Sequence, residues 1–290
     1  MQTAIVTGTS TGIGFATALR LAKEGCRVHA TVRSEASGAA LLAAAGDLPL
    51  SLLVLDVDDD ASVSNAIASV IASEGPVDIL VNNAGVSSLV SVEGMPLAQF
   101  QSVMNTNAWG GLRCIQAVLP AMRERGSGCI VNLTSIAGRV AAPGQGAYAA
   151  SKWAMEAISE VLAAEAAPFG IRVAIVEPGV VLTPLVDKGV QAGLDMKSPY
   201  LESILRTGRL LMAGVADPAS ADDVADVIWH AITTDTPVLR YRVGRDAEAL
   251  AANRPALTDE EWIAGLTMVD DEQWRANMSA WGATDVPGMG

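Results

Sequence analysis

The stretch TAIVTGTSTGIGFATALRLAKEG, residues 3–25, places a short apolar run before a glycine-rich turn and a helix-like segment. A strand, such a turn and a helix in this order form the local structure that binds the phosphates of a dinucleotide. Glycines permit the tight turn and a close approach of backbone to a pyrophosphate. The start of the helix adds free N–H groups and a positive dipole. We therefore predict a nucleotide site in this turn, formed by Gly8, Ser10, Thr11, Gly12, Ile13 and Gly14.

Further apolar runs along the chain alternate with helix-like segments. The predicted strands are 3–7, 27–32, 50–57, 77–82, 128–135, 171–178 and 237–243. Several of them are apolar throughout, as expected when helices cover both faces of a parallel sheet. The alternation predicts an α/β fold of the Rossmann type, a doubly wound parallel sheet of about seven strands with helices on both faces.

Two segments depart from this alternation, and we predict one domain over residues 1–290 that carries both as additions. Residues 184–216 contain no predicted strand but many apolar side chains, among them Leu185 and Met196. We interpret them as a lid over a substrate site, although the same side chains could simply pack the segment on itself. From about residue 246 to residue 290 the pattern predicts a helical extension that contains three tryptophans, Trp262, Trp274 and Trp281.

Composition and charge exclude several classes of function. The net charge of −13 argues against a nucleic-acid partner, because binding phosphates requires basic patches. The three cysteines and the two histidines show no metal-ligand spacing, so we predict neither a metal site nor a disulfide framework. No apolar run reaches the roughly 18 residues of a membrane span. The chain opens on a predicted strand without the pattern of a secretory signal, which favours a cytoplasmic location.

The end of the second predicted strand indicates which dinucleotide is bound. An NAD site usually places an acidic residue there to hold the adenosine ribose. Here Val32 takes that position and Arg33 follows it. A guanidinium suits the 2′-phosphate of NADP through its charge and its planar set of donors. We therefore predict that NADP(H) is favoured while NAD(H) stays possible, with Ser10, Thr11 and Ser34 as hydroxyl donors.

Five later motifs follow the glycine turn in sequence. They are NNAG at 82–85, NTNAWG at 105–110, NLTS at 132–135, YAASK at 148–152 and EPGVVLTP at 177–184. Together with TGTSTGIG they resemble the short-chain dehydrogenase/reductase family, in which such motifs cover about residues 3–186 of this chain. Within that family the chain is similar to the NADP-preferring hydroxysteroid and retinol dehydrogenase branch.

Tyr148 and Lys152 stand one helical turn apart and therefore share a helix face. A pair of this kind in isolation is usually a surface pair, but the resemblance implies that Tyr148 is the general acid or base of a carbonyl–alcohol interconversion. A free phenol has a pKa of about 10, and a nearby ammonium favours the phenolate. The resemblance also places Lys152 on the nicotinamide ribose, Ser135 on the carbonyl oxygen, and Asn107 on a water that links the lysine to solvent.

The resemblance implies further cofactor contacts along the ends of the strands. Asp56 and Val57 are expected at the adenine, and the backbone of Asn83, Ala84 and Gly85 at the adenosine ribose. The residues expected to border the nicotinamide are Pro178, Gly179, Val181 and Thr183.

These observations predict an NADP(H)-dependent oxidoreductase that interconverts a hydrophobic ketone or aldehyde and its alcohol. Three alternatives stay open. They are a catalytically weak cofactor-binding regulator, an NAD-dependent alcohol dehydrogenase of the same family, and a protein that binds membranes or partners through its tryptophan-bearing tail. The alanine-rich helices predicted at about 98–126 and 145–169 favour a homodimer or homotetramer, as relatives pair these helices across a two-fold axis.

Overall fold

The structure is a computed structural model, and it describes residues 1–184, 195–214, 218–267 and 270–280. Its centre is a seven-stranded sheet in the order β3-β2-β1-β4-β5-β6-β7, in which every neighbouring pair is parallel. The strands are β1 (Thr3–Val6), β2 (Arg27–Val32), β3 (Leu50–Val54), β4 (Ile79–Asn82), β5 (Gly128–Leu133), β6 (Ile171–Pro178) and β7 (Arg240–Val243). The strand order reverses between β1 and β4, and this reversal opens a crevice at the carboxyl ends of the strands.

Helices cover both faces of this sheet. They are α1 (Gly12–Lys23), α2 (Glu35–Ala45), α3 (Asp60–Glu74), α4 (Leu97–Met104), α5 (Gly110–Arg125), α6 (Gly146–Ala166), α7 (Leu201–Gly214), α8 (Ala221–Thr233), α9 (Arg245–Asn253), α10 (Asp259–Thr267) and α11 (Asp271–Ala280). A π-helical turn, Asn105–Trp109, joins α4 to α5 without a break. One buried apolar cluster joins the sheet to α1 and α8, and a second joins it to α3, α5 and α6. The predicted fold class is therefore confirmed.

Two strands are shorter than predicted because individual residues stop the backbone pairing between neighbouring strands. β2 and β6 match their predicted ranges, whereas β3 ends at Val54 instead of residue 57. The Asp56 carboxylate accepts a hydrogen bond from the Asp58 N–H at 3.1 Å, which turns the chain toward α3. β7 begins at Arg240 instead of residue 237, since Pro237 has no N–H to donate to the sheet and the Val238 N–H donates to the Tyr241 Oη.

The two predicted additions are described only in part. Helix α7 occupies much of the predicted lid, while Leu185 and the rest of 185–194, together with 215–217, lie outside the described residues. Helices α9, α10 and α11 form the described part of the extension, and Trp281 lies beyond it. Both the lid and the single-domain organisation stay predictions. Across the described ranges, no helix has the length and hydropathy needed to cross a membrane.

Candidate active site

The glycine turn after β1 lies at the carboxyl edge of the sheet and depends on glycine conformations. Gly8 and Gly12 have φ values of +70° and +63°, in the left-handed region. A Cβ on Gly8 would lie 2.8 Å from the Ala84 Cα, so only glycine lets the two backbones meet. The Thr11 side chain does not cap α1. The N–H groups at the start of this helix are therefore not occupied by that side chain, as an anion site requires.

The NNAG segment after β4 is bonded directly to this turn. The Asn83 Nδ2 donates to the Thr7 carbonyl at 2.7 Å and to the Gly8 carbonyl at 3.0 Å. The Thr7 Oγ1 accepts from the backbone N–H groups of Asn83 at 2.9 Å and of Ala84 at 3.0 Å. The side chain of Asn83 and the N–H groups of Asn83 and Ala84 are thus used to hold the turn, and the contact of this segment with an adenosine ribose stays a prediction.

The residues expected at the adenosine end also lie along this edge. Val32 is buried, while Arg33 and Ser34 are exposed directly after β2. Within the described ranges, Arg33 has neither a hydrogen-bond nor an ion-pair partner, so its donors are available to a phosphate. Asp56 and Val57 lie just past β3, the first half-buried and the second buried. The donor set on this edge fits an NADP molecule.

Ser135 begins the loop that leads from β5 to α6. Its Oγ accepts from the Ala137 N–H at 3.1 Å and donates to the Pro178 carbonyl at 3.4 Å. Tyr148, in the first turn of α6, is half-buried beside it. Burial raises the pKa of Tyr148, and its interaction with the Ser135 side chain partly opposes that rise.

Lys152 is buried one turn along α6. Its Nζ donates to the Leu133 carbonyl at 2.9 Å and lies 5.7 Å from the centroid of the Tyr148 ring. Burial lowers the pKa of Lys152 to about 8, although the nearby Glu156 carboxylate opposes that change. We expected the ammonium to favour the phenolate of Tyr148, but in the structure burial raises the pKa of the phenol, and the group that opposes the rise is the Ser135 side chain. A phenol that stays protonated near neutral pH is suited to donate a proton.

Asn107 lies within the π-helical turn, and its side chain is fully bonded. Its Oδ1 accepts from the Val86 N–H at 2.7 Å, and its Nδ2 donates to the Val86 carbonyl and to the Ser151 Oγ, each at 2.9 Å. The asparagine therefore fixes the chain after NNAG against α6. The water predicted between this residue and Lys152 stays a prediction. A single π turn is often found at functional sites, and it explains how Asn sits in an otherwise continuous helix.

The segment after β6 closes over the glycine turn. A Cβ on Gly12 would lie 3.2 Å from the Thr183 Cγ2, so Thr183 contacts the turn that we assign to the pyrophosphate. Gly179 donates its N–H to the Val243 carbonyl at 2.8 Å, and Val181 is buried. Residues expected at the two halves of a cofactor thus meet along one crevice.

Sequence reasoning missed two acidic side chains next to this site. Glu156 is buried on α6, where its carboxylate accepts from the Thr134 Oγ1 at 2.6 Å and pairs with the Arg240 Nε at 3.0 Å. Asp246 accepts from the Val180 N–H at 2.7 Å. The sequence signal for Glu156 was its spacing of one helical turn from Lys152. The sequence signal for Asp246 was its position just after Gly244, at the start of a predicted helix.

The chain resembles known proteins along most of its length. A family model described as short chain dehydrogenase matches residues 2–192. Retinol dehydrogenase 8 of Bos taurus is 36% identical over 256 residues, which cover 83% of this chain and 81% of the relative. D-threitol dehydrogenase of Mycolicibacterium smegmatis is 41% identical over 211 residues, which cover 72% of this chain and 80% of the relative. A short-chain dehydrogenase structure from Streptomyces avermitilis has a TM-score of 0.79 and 33% identity, covering 97% of this chain and 95% of its own.

Proposed function

The chain belongs to the short chain dehydrogenase family, whose members are oxidoreductases that act on CH–OH groups with NAD(P), and from this premise we propose an NADP(H)-dependent enzyme that interconverts a hydrophobic ketone or aldehyde and its alcohol. The observation that carries this proposal is the convergence of Ser135, Tyr148 and Lys152 beside the glycine turn. The bound cofactor supplies or accepts the hydride. The chain itself must then bind the cofactor, orient the carbonyl and move one proton.

Each of the three side chains has a role that follows from its surroundings. Ser135 donates to the carbonyl oxygen and stabilises the charge that develops there. The Tyr148 Oη gives the proton during reduction and takes it during oxidation, since its raised pKa keeps it protonated near neutrality. Lys152 holds the nicotinamide ribose from a buried position, and its ammonium, 5.7 Å from the centroid of the Tyr148 ring, stabilises the phenolate that forms when the proton leaves. Asn107 fixes the segment after β4 that carries Gly85, where a Cβ would lie 3.8 Å from the Lys152 Nζ.

Apolar side chains around the entrance support a hydrophobic substrate. Ile204 of α7 is buried. Gly144, in the loop before α6, packs against both Ile204 and Leu89, since a Cβ on this glycine would lie 3.2 Å from each of the two side chains. Leu182, in the segment that follows β6, and Met196, which precedes α7, are 58% and 69% exposed, so both offer apolar surface. The relative named for retinol agrees with this proposal, whereas the relative named for D-threitol acts on a polar alcohol.

A panel of carbonyl compounds tests the proposed function. Each compound is incubated with enzyme and NADPH, and the loss of NADPH absorbance is followed together with alcohol formation. We expect turnover with long-chain or cyclic apolar carbonyls and at least about tenfold lower kcat/KM with polyol-derived ketones, as apolar burial favours the former. Efficient turnover of polyols alone would contradict the substrate class. NADPH binding without turnover of any compound would favour the cofactor-binding regulator.

Cofactor preference provides a direct test of Arg33. We expect Arg33→Ala to lower the preference for NADPH over NADH by about tenfold or more, because a charge-assisted contact contributes roughly 1.5–3 kcal/mol. The measurement is kcat/KM with each cofactor. Arg27→Ala is the matched control, since Arg27 stands at the opposite end of β2 and pairs with Glu74 at 3.3 Å. An unchanged ratio in Arg33→Ala would leave NAD as an equal candidate.

Helix α6 carries an exposed apolar stripe that we propose as a subunit interface. Trp153 and Val161 are 51% and 57% exposed and stand two turns apart, with Ala157 exposed between them. We expect a homodimer or homotetramer by light scattering at micromolar concentration, and Val161→Glu should weaken it because a charge would be buried. A wild-type monomer at that concentration would refute the proposal.

The cysteines support a reducing compartment, and we keep the cytoplasm as the proposed location. Cys26, Cys114 and Cys129 are all free and buried. Burial raises the pKa of Cys114 to about 12 and that of Cys129 to about 11, so neither thiol is reactive near neutrality. Free thiols of this kind are typical of proteins that are not exported.

A further inference from the structure

The C-terminal extension, here residues 246–280, contacts two segments that border the proposed reacting centre. The first is the nicotinamide segment, residues 179–184, which follows β6. The second is the catalytic loop, residues 135–145, which runs from Ser135 to the start of α6. Both contacts are made by polar groups of the extension to the backbone of these segments.

Asp246 fixes the nicotinamide segment at its start. Its Oδ2 accepts from the Val180 N–H at 2.7 Å. A Cβ on Gly179 would lie 2.0 Å from the Asp246 Oδ1, so the carboxylate packs directly on this glycine. Gly244, with φ of +103°, turns the chain from β7 into α9 and brings the carboxylate to this position. Together with the bond from the Gly179 N–H to the Val243 carbonyl, this side chain from 66 residues further on holds the chain after Pro178.

Trp262 fixes the catalytic loop near its middle. Its Nε1 donates to the Ala141 carbonyl at 3.2 Å. The indole belongs to a buried cluster in which Trp274 and Met278 pack with Ile136 and Val140 of the loop. Trp262 and Trp274 are only 6% and 1% exposed. These two tryptophans are thus occupied inside the protein, which argues against the alternative that they anchor a membrane.

We propose that the C-terminal extension is a positioning element, in which Asp246 holds the nicotinamide segment and Trp262 holds the catalytic loop. The proposal rests on the proposed function, since it assigns the extension a place in that reaction. The two contacts should have separable effects. Asp246 acts on the wall that borders the cofactor, whereas Trp262 acts on the loop between the two residues that bind and protonate the carbonyl.

Asp246→Asn tests the first contact with a side chain of the same shape. We expect NADPH, titrated by calorimetry, to bind about three- to tenfold more weakly, because a neutral acceptor replaces a charged one and the amide can turn a donor toward the Val180 N–H. Hydrogen exchange measured on peptides covering 179–184 should be faster, with the catalytic loop unchanged. Glu248→Gln is the control, since it makes the same charge change on the same helix at a residue whose side chain is 62% exposed. If Asp246→Asn does not fold, Asp246→Ser, which retains a small acceptor, takes its place with the same expected results.

Trp262→Phe tests the second contact by removing the donor while keeping an aromatic ring. We expect a KM for the carbonyl about three- to tenfold higher, an unchanged affinity for NADPH, and faster exchange in peptides covering 136–143. Ile263→Ala is the control, because Ile263 is 59% exposed on the same helix. The proposal would be overturned if hydrogen exchange in the nicotinamide segment of the Asp246 variant and in the catalytic loop of the Trp262 variant were as slow as in the wild type. Faster exchange in an enzyme that turns over no carbonyl would instead overturn the proposed function and leave the positioning role in place.

Discussion

Tyr148→Phe should lower turnover at least about a hundredfold and leave the affinity for NADPH within about threefold of wild type. The ring stays in place, but the proton that the alkoxide must receive is gone, and general acid catalysis typically contributes about 10²–10⁴-fold. The contacts that we propose for the phosphates and the adenosine follow β1, β2, β3 and β4 and do not involve this hydroxyl. The measurement is kcat under saturating NADPH, together with a calorimetric titration of the cofactor.

Tyr241→Phe is the matched control for this variant. The Tyr241 Oη accepts from the Val238 N–H at 3.0 Å near the start of β7, outside the site. We expect its turnover to stay close to wild type. A Tyr148→Phe enzyme that retains more than about a tenth of wild-type turnover would exclude Tyr148 as the general acid. The family would then describe the fold of this chain but not its mechanism.

Lys152→Ala should lose both turnover and cofactor affinity, because one ammonium is assigned two roles. We expect kcat to fall at least about a hundredfold and NADPH to bind about tenfold more weakly. Lys152→Met, which keeps most of the buried volume, separates the loss of charge from the cavity that Ala leaves. A double variant with Tyr148→Phe should be little worse than either single variant, since the two residues act as one unit.

The pH dependence of binding gives this variant a second readout. Because the pKa of Lys152 is lowered to about 8, its ammonium is present below that pH and lost as the pH rises through it. NADPH affinity in the wild type should therefore fall above about pH 8, and Lys152→Met should abolish that fall. Equal pH dependence in the two proteins would show that another group controls binding, and an unchanged kcat in both variants would contradict the role of Lys152 in catalysis.

The parts of the fold that depend on local pattern could be predicted from the sequence. The predicted limits of β2 and β6 match the structure because both strands are bounded by clear turn residues. β3 ends early because the chain turns at Asp56, and β7 begins late because neither Pro237 nor Val238 offers an N–H to the sheet. The π-helical turn at Asn107 had no sequence signal beyond an asparagine in a helix, since its geometry depends on bonds to Val86 and Ser151.

The parts of the site that depend on distant contacts could not be predicted. Asp246 reaches Val180 across 66 residues, and Glu156 meets Arg240 across 84. Neither pairing leaves a periodic trace in the sequence. The pKa of Tyr148 also depends on burial, which raises it, and on the Ser135 side chain, which opposes that rise. Motif spacing thus indicates which residues meet at the carboxyl edge, whereas the protonation of those residues requires the packed structure.

Transfer of deuterium from NADPH labelled at the nicotinamide C4 tests the central claim most directly. The enzyme is incubated with each of the two C4-deuterated forms of the cofactor and the best apolar carbonyl, and the alcohol is analysed by mass spectrometry. We predict one deuterium on the carbinol carbon from one labelled form only, and no labelled alcohol from Tyr148→Phe within the same time. Alcohol that carries no deuterium from either form, or no alcohol although NADPH binds, would contradict an oxidoreductase that works by hydride transfer at this site.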